Sequence, residues 1–154
     1  MSRFTRPFGR PLHPVVASAA IGCWAVSLGF DALSHISEAR GLYAHGAYAA
    51  TAFGIVAGIV ASLIGLVDLL ELDRDGAAFR TGVRHLVAMD VALVLLAVSF
   101  ILRRAAGFAT LRATSPAAVA LSLVGLCAVG VGLFHSGRLV YEHGVGRVSD
   151  QPFE

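Results

Sequence analysis

The sequence predicts an all-α fold, an integral membrane bundle of four antiparallel transmembrane helices, and three observations carry that prediction. The 154 residues are 56% hydrophobic and only 14% charged, with a mean hydropathy of +0.75, far more apolar than a soluble domain. The apolar residues gather in four runs, each long enough to cross the hydrocarbon core, divided by polar or charged connections. Pro14 and Pro116 stand at the heads of two runs, where a helix tolerates proline best.

Residues 1–14 form a basic segment with Arg3, Arg6, Arg10 and three prolines, expected in water or at the headgroup level. The first span follows over about 15–33. Its length exceeds a signal-peptide core and residues 30–35 offer no small-residue cleavage pattern, so it reads as a retained helix. A polar connection over 34–46, with His35, Glu38, Arg40 and His45, leads to a second span over about 47–70. Gly54, Gly58, Ser62 and Gly65 make a smooth stripe on that helix, expected to admit a neighbouring backbone and so to place the helix centrally. Asp68 closes it, and residues 71–76 form a charged turn before Arg80, Arg84 and His85.

The third span, about 86–102, holds Met89 and Asp90 near its beginning and ends at Arg103 and Arg104. Residues 107–115 make the next loop, and Pro116 opens the fourth span, about 117–141. The transmembrane domain thus covers 15–148, with 149–154 a frayed tail. Four spans put both termini on one side, which carries eight arginines against four on the other; this asymmetry predicts cytoplasmic termini.

Lysine is absent and the net charge is only +2, so the composition gives no reason to expect nucleic acid as a partner. The lipid bilayer is the expected surroundings, with a membrane redox partner or self-association as the further partner classes. Cys23 and Cys127 lie mid-run and read as small buried packing residues.

Every helix contributes a polar end to the side of the termini: His13 before the first, Asp68 ending the second, Arg84 and His85 opening the third, Arg138, Tyr141 and His143 ending the fourth. Helices in such a bundle lie about 10 Å apart, so these side chains can converge. The other side offers a thinner set, Asp31, His35, Tyr43 and His45, in which Asp31 and His35 share a helix face.

The order of His13-Pro14, Phe30-Asp31, Gly65-Leu66-Val67-Asp68, His85 and the closing motif Leu139-Val140-Tyr141-Glu142-His143-Gly144-Val145-Gly146 resembles the bacterial predicted membrane protein family known as domain of unknown function 2231. The resemblance runs from His13 to Val148. It departs from the family pattern at Asp90, where a neutral amide is expected, and at residues 15–18, which lack a second histidine. It implies a four-helix domain of the bacterial inner membrane, linked in some related proteins to redox modules, and supplies no established activity.

Two readings of the polar side follow. In the sharper, His13, His85 and His143 are ligands of a haem b or a transition metal, with Asp68 joining the metal set or orienting a ligand histidine, and Arg84, Arg138 and Tyr141 completing the cofactor site. In the alternative, Asp68 with Arg84 or Arg138, and Tyr141 with a backbone carbonyl, only fix helix packing, and the protein is a structural or assembly subunit without a cofactor. A proton relay needs a protonatable group near mid-membrane, and the central segments offer only hydroxyls. No serine or cysteine nucleophile sits beside a histidine in a recognisable catalytic pattern, and there is no glycine-rich phosphate loop, which speaks against an enzyme.

Overall fold

The computed structural model describes residues 12–105 and 112–146. The basic segment before residue 12, most of the third loop and the tail at 149–154 lie outside the described residues. Four α-helices follow one another: α1 (Leu12–Ile36), α2 (Arg40–Leu70), α3 (Ala77–Ala105) and α4 (Pro116–Tyr141). Each is long and apolar enough to cross a membrane.

The helices extend beyond the apolar runs that announce them. Most of the expected 34–46 connection is helical, because α2 already starts at Arg40, and α3 starts at Ala77, nine residues ahead of its apolar run. His13, expected outside the helix, stands in the first turn of α1. Consequently Asp90, which the apolar run alone places near a span's beginning, lies midway along α3.

The helix ends follow local chemistry. Ser115 caps α4 by accepting from the Ala118 N–H, with Pro116 in the first helical position, where a missing N–H costs nothing. At the far end Gly144 and Gly146 adopt φ of 66° and 83°, and the Val145 N–H returns to the Leu139 carbonyl, so the glycines end the helix in the left-handed conformation that side chains resist.

Contacts divide the bundle into two hairpins, α1 with α2 and α3 with α4, joined chiefly through α2 and α3. Along the first hairpin His13 meets Ala61, and Ser27 meets Ala47 and Thr51. Along the second, His85 meets Gly132 and Ser99 meets Ala118. The core is small: Ala20, Trp24, Ala92, Leu96 and Val129. Large apolar side chains such as Phe53, Val56, Val94, Leu123 and Phe134 point outward, the arrangement expected where lipid is the solvent.

The glycine stripe of α2 admits aromatic rings where a neighbouring backbone was expected. A Cβ at Gly54 would stand 2.4 Å from Trp24 Cδ1 and Nε1, and one at Gly65 would stand 2.9 Å from His13 Cε1. The missing side chains make the room that these rings fill. Cys127 is exposed, contrary to a buried packing role, and Cys23 is half-buried; both are free thiols.

Candidate functional site

Polar side chains gather at both ends of the bundle, and the denser gathering is at the end that the sequence ranks second. Asp31 of α1 and Arg103 of α3 are fully or nearly buried, and the guanidinium grips both carboxylate oxygens, at 2.5 and 2.6 Å. Arg103 also donates to Ser122 Oγ at 2.9 Å and to Ser99 Oγ at 3.3 Å. Ser99 in turn reaches the Ala118 carbonyl, and Ser34 Oγ accepts from the Thr114 N–H. A bidentate guanidinium–carboxylate pair with further hydrogen bonds from Nε and Nη2 is the form in which buried charges are tolerated. It ties one hairpin to the other. The expected Asp31–His35 partnership is absent, since His35 is exposed and Asp31 faces Arg103.

At the opposite end a cavity of about 200 Å³ opens between the hairpins. Its polar lining comprises His13 of α1, Ser62 and Asp68 of α2, His85 and Asp90 of α3, and Ser136 of α4; Trp24, Gly58 and Leu93 add apolar wall. His13 Nδ1 lies 2.9 Å from the Ala61 carbonyl, and His85 Nδ1 lies 2.8 Å from the Gly132 carbonyl. A carbonyl oxygen can only accept, so each Nδ1 carries a proton, and in the neutral ring Nε2 is the nitrogen with the lone pair. The two rings stand edge to face, centroids 5.9 Å apart and planes at 86°. Ser62 Oγ donates to Asp90 Oδ1 at 2.7 Å, and Asp68 Oδ1 is buried with no hydrogen-bond partner.

The other residues expected at this site are placed differently. His143 lies past the end of α4 and its Nε2 is 3.2 Å from Thr81 Oγ1. Arg138 pairs with Glu142 on its own helix at 2.8 Å, so the expected Arg138–Asp68 pair does not form. Arg84 and Tyr141 are exposed. Among the described residues no three His, Cys, Asp or Glu side chains form a group fit to hold a metal ion, so His13, His85, His143 and Asp68 are not gathered as a metal set. The structural network expected at Asp68 is replaced by the one at Asp31 and Arg103. Glu142 lies just beyond α4; its hydrogen bond to Arg138 holds its carboxyl below the usual range.

Three participants escape a reading of the chain alone. Arg103 looks like a helix-ending charge, although its four-residue spacing from Ser99 and the matching Ala118/Ser122 spacing were a usable signal. His135 of α4 has its Nδ1 buried without a hydrogen-bond partner. Asp90 was visible, but its depth was not.

The model of a family described as "Predicted membrane protein (DUF2231)" matches residues 9–149. No curated protein and no solved structure matches the chain.

Proposed function

The chain belongs to the DUF2231 family of predicted membrane proteins, and from that premise we propose that it is a small haem-binding protein of the bacterial inner membrane, in which His13 and His85 are the residues that would hold one b-type haem. The observation that carries this reading is the pair of imidazoles, one from each hairpin, each fixed through Nδ1 by a carbonyl of its partner helix. Ligand histidines are oriented in this way, with the outer nitrogen bound and the inner lone pair left for the metal. A bare ion of the zinc kind requires three or four protein ligands. In haem the porphyrin supplies four, and two imidazoles suffice.

The cavity, about 200 Å³, falls below the roughly 300–1,000 Å³ of a ligand pocket. Haem entry therefore parts the hairpins at the histidine end, while the Asp31–Arg103 pair holds the other. The arginine distribution, eight on the side of the termini against four on the other, supports a cytoplasmic position for the histidine end and both termini. A bound haem makes the protein a one-electron carrier for a membrane redox partner.

The test is the absorption spectrum of protein purified in detergent from haem-replete cells, before and after dithionite, with haem quantified. One haem per chain and a Soret band reduced or lost in His85→Ala are expected. Colourless protein without haem overturns the reading. It would leave the second one, a structural subunit, which the buried Asp31–Arg103 network favours because that network needs no ligand.

A further inference from the structure

We propose that the cavity between the hairpins binds a small apolar amine, its ammonium group received by Asp68 and Asp90 and its apolar body by the wall around Trp24. The inference is independent of the haem reading. It concerns the closed bundle, in which Ser62 and Asp90 join α2 to α3, whereas haem requires the hairpins to part. The two ligands therefore exclude each other.

The polar lining is built to accept hydrogen bonds. Asp68 and Asp90 are carboxylates, and the Nδ1 atoms of His13 and His85 are spent on the Ala61 and Gly132 carbonyls, which leaves the Nε2 lone pairs of the neutral rings. The Ser62 hydroxyl already donates to Asp90, so Ser136 is the remaining hydroxyl of the lining. Among the described residues that line the cavity there is no arginine, and the chain has no lysine. Asp68 Oδ1 is buried without a hydrogen-bond partner, and Asp90 lies midway along a helix long and apolar enough to cross a membrane. Carboxylates so placed are costly to keep ionised without a counter-charge, and they mark functional sites. The ligand that answers this lining brings N–H donors and a positive charge; an anion or a neutral carbonyl compound brings neither.

The rest of the wall is apolar and sets the body of the ligand. Ala17, Ala20, Trp24, Met89 and Leu93 contribute to it. An apolar cavity of about 150 Å³ holds benzene. This one, of about 200 Å³, has room for a ring of that size together with a methylene and an ammonium group. A bare inorganic cation would leave the apolar wall uncovered, and among the described residues no three His, Cys, Asp or Glu side chains form a group fit for a metal ion.

Calorimetric titration of the full chain in detergent, expressed without added haem, tests this. The probes are benzylamine, protonated at neutral pH, and benzyl alcohol, which has the same ring and no charge. One benzylamine per chain is expected, bound about tenfold or more tighter than the alcohol, the worth of a hydrogen bond to a charged group. Asp68→Asn/Asp90→Asn should bring benzylamine down to the level of the alcohol and leave the alcohol unchanged. Where the double variant fails to fold, Asp90→Asn alone should weaken the amine and not the alcohol. Ala17→Leu, which fills apolar space and keeps every polar group, should weaken both. Equal affinity for amine and alcohol, undiminished amine binding in the folded aspartate variants, or methylamine bound as tightly as benzylamine overturns the proposal. Protein that takes haem but no benzylamine overturns it and spares the haem reading; protein that takes benzylamine but no haem does the reverse.

Discussion

Arg103 holds Asp31 by both terminal nitrogens across the two hairpins, and neither side chain reaches solvent to any extent. Two helices that make few other contacts are thereby fixed at one end. This pair joins the two hairpins at the end opposite the histidines.

Breaking the pair on one side strands a charge. Asp31→Asn and Arg103→Gln should each destabilise the protein by about 3–5 kcal/mol, read as a lowered melting temperature in detergent. The double variant Asp31→Leu/Arg103→Met removes both charges and should recover most of that loss. Single variants that melt with the wild type would show the pair to be idle.

Trp24 sets a second expectation. A methyl group at Gly54 would stand 2.4 Å from its buried ring, so the ring or the helix has to shift. Gly54→Ala should cost about 1–3 kcal/mol. At Gly22 and Gly29 an added Cβ meets nothing within 4 Å, so alanine there should change stability by no more than about 0.5 kcal/mol. Equal melting of all three variants would contradict this packing.

The four spans were legible because hydropathy alone reports them. Their ends were not, since helices that leave the hydrocarbon core continue through polar residues such as Arg40 and Arg80 with no loss of hydrogen bonding. The meeting of His13 with His85 followed from topology, which put their helix ends on one side. Topology could not show that Gly144 turns the chain and leaves His143 against Thr81. Asp31 and Arg103 stayed invisible as a pair because charges at span ends are ordinary and only side-chain geometry distinguishes a buried one.

Acid should discriminate between the two ion pairs. Arg138 lowers the pKa of Glu142 through a direct hydrogen bond, so the pair's contribution is present above the ordinary carboxylate range and lost as pH falls through the lowered value. The pair is exposed and screened by salt, which keeps that contribution small. Melting curves of Glu142→Gln should therefore follow the wild type from neutral to acid pH at physiological salt. A loss comparable to that in Asp31→Asn would show that Glu142 has a buried role.

Haem retention should sort the histidines by the company of their ring nitrogens. His13 and His85 have Nδ1 engaged by a carbonyl and Nε2 left for a ligand, whereas His143 spends Nε2 on Thr81. His143→Ala and Arg138→Ala should therefore keep one haem per chain with a six-coordinate spectrum. His13→Ala and His85→Ala should each lose it, and free imidazole diffusing into the vacated space should restore it in part. Gly65→Ala, which sets a Cβ 2.9 Å from His13 Cε1, should push that ring aside and lower haem occupancy without removing any ligand. If His143→Ala proves as damaging as His85→Ala, or if both ligand variants keep the six-coordinate spectrum, the axial pair is wrongly assigned.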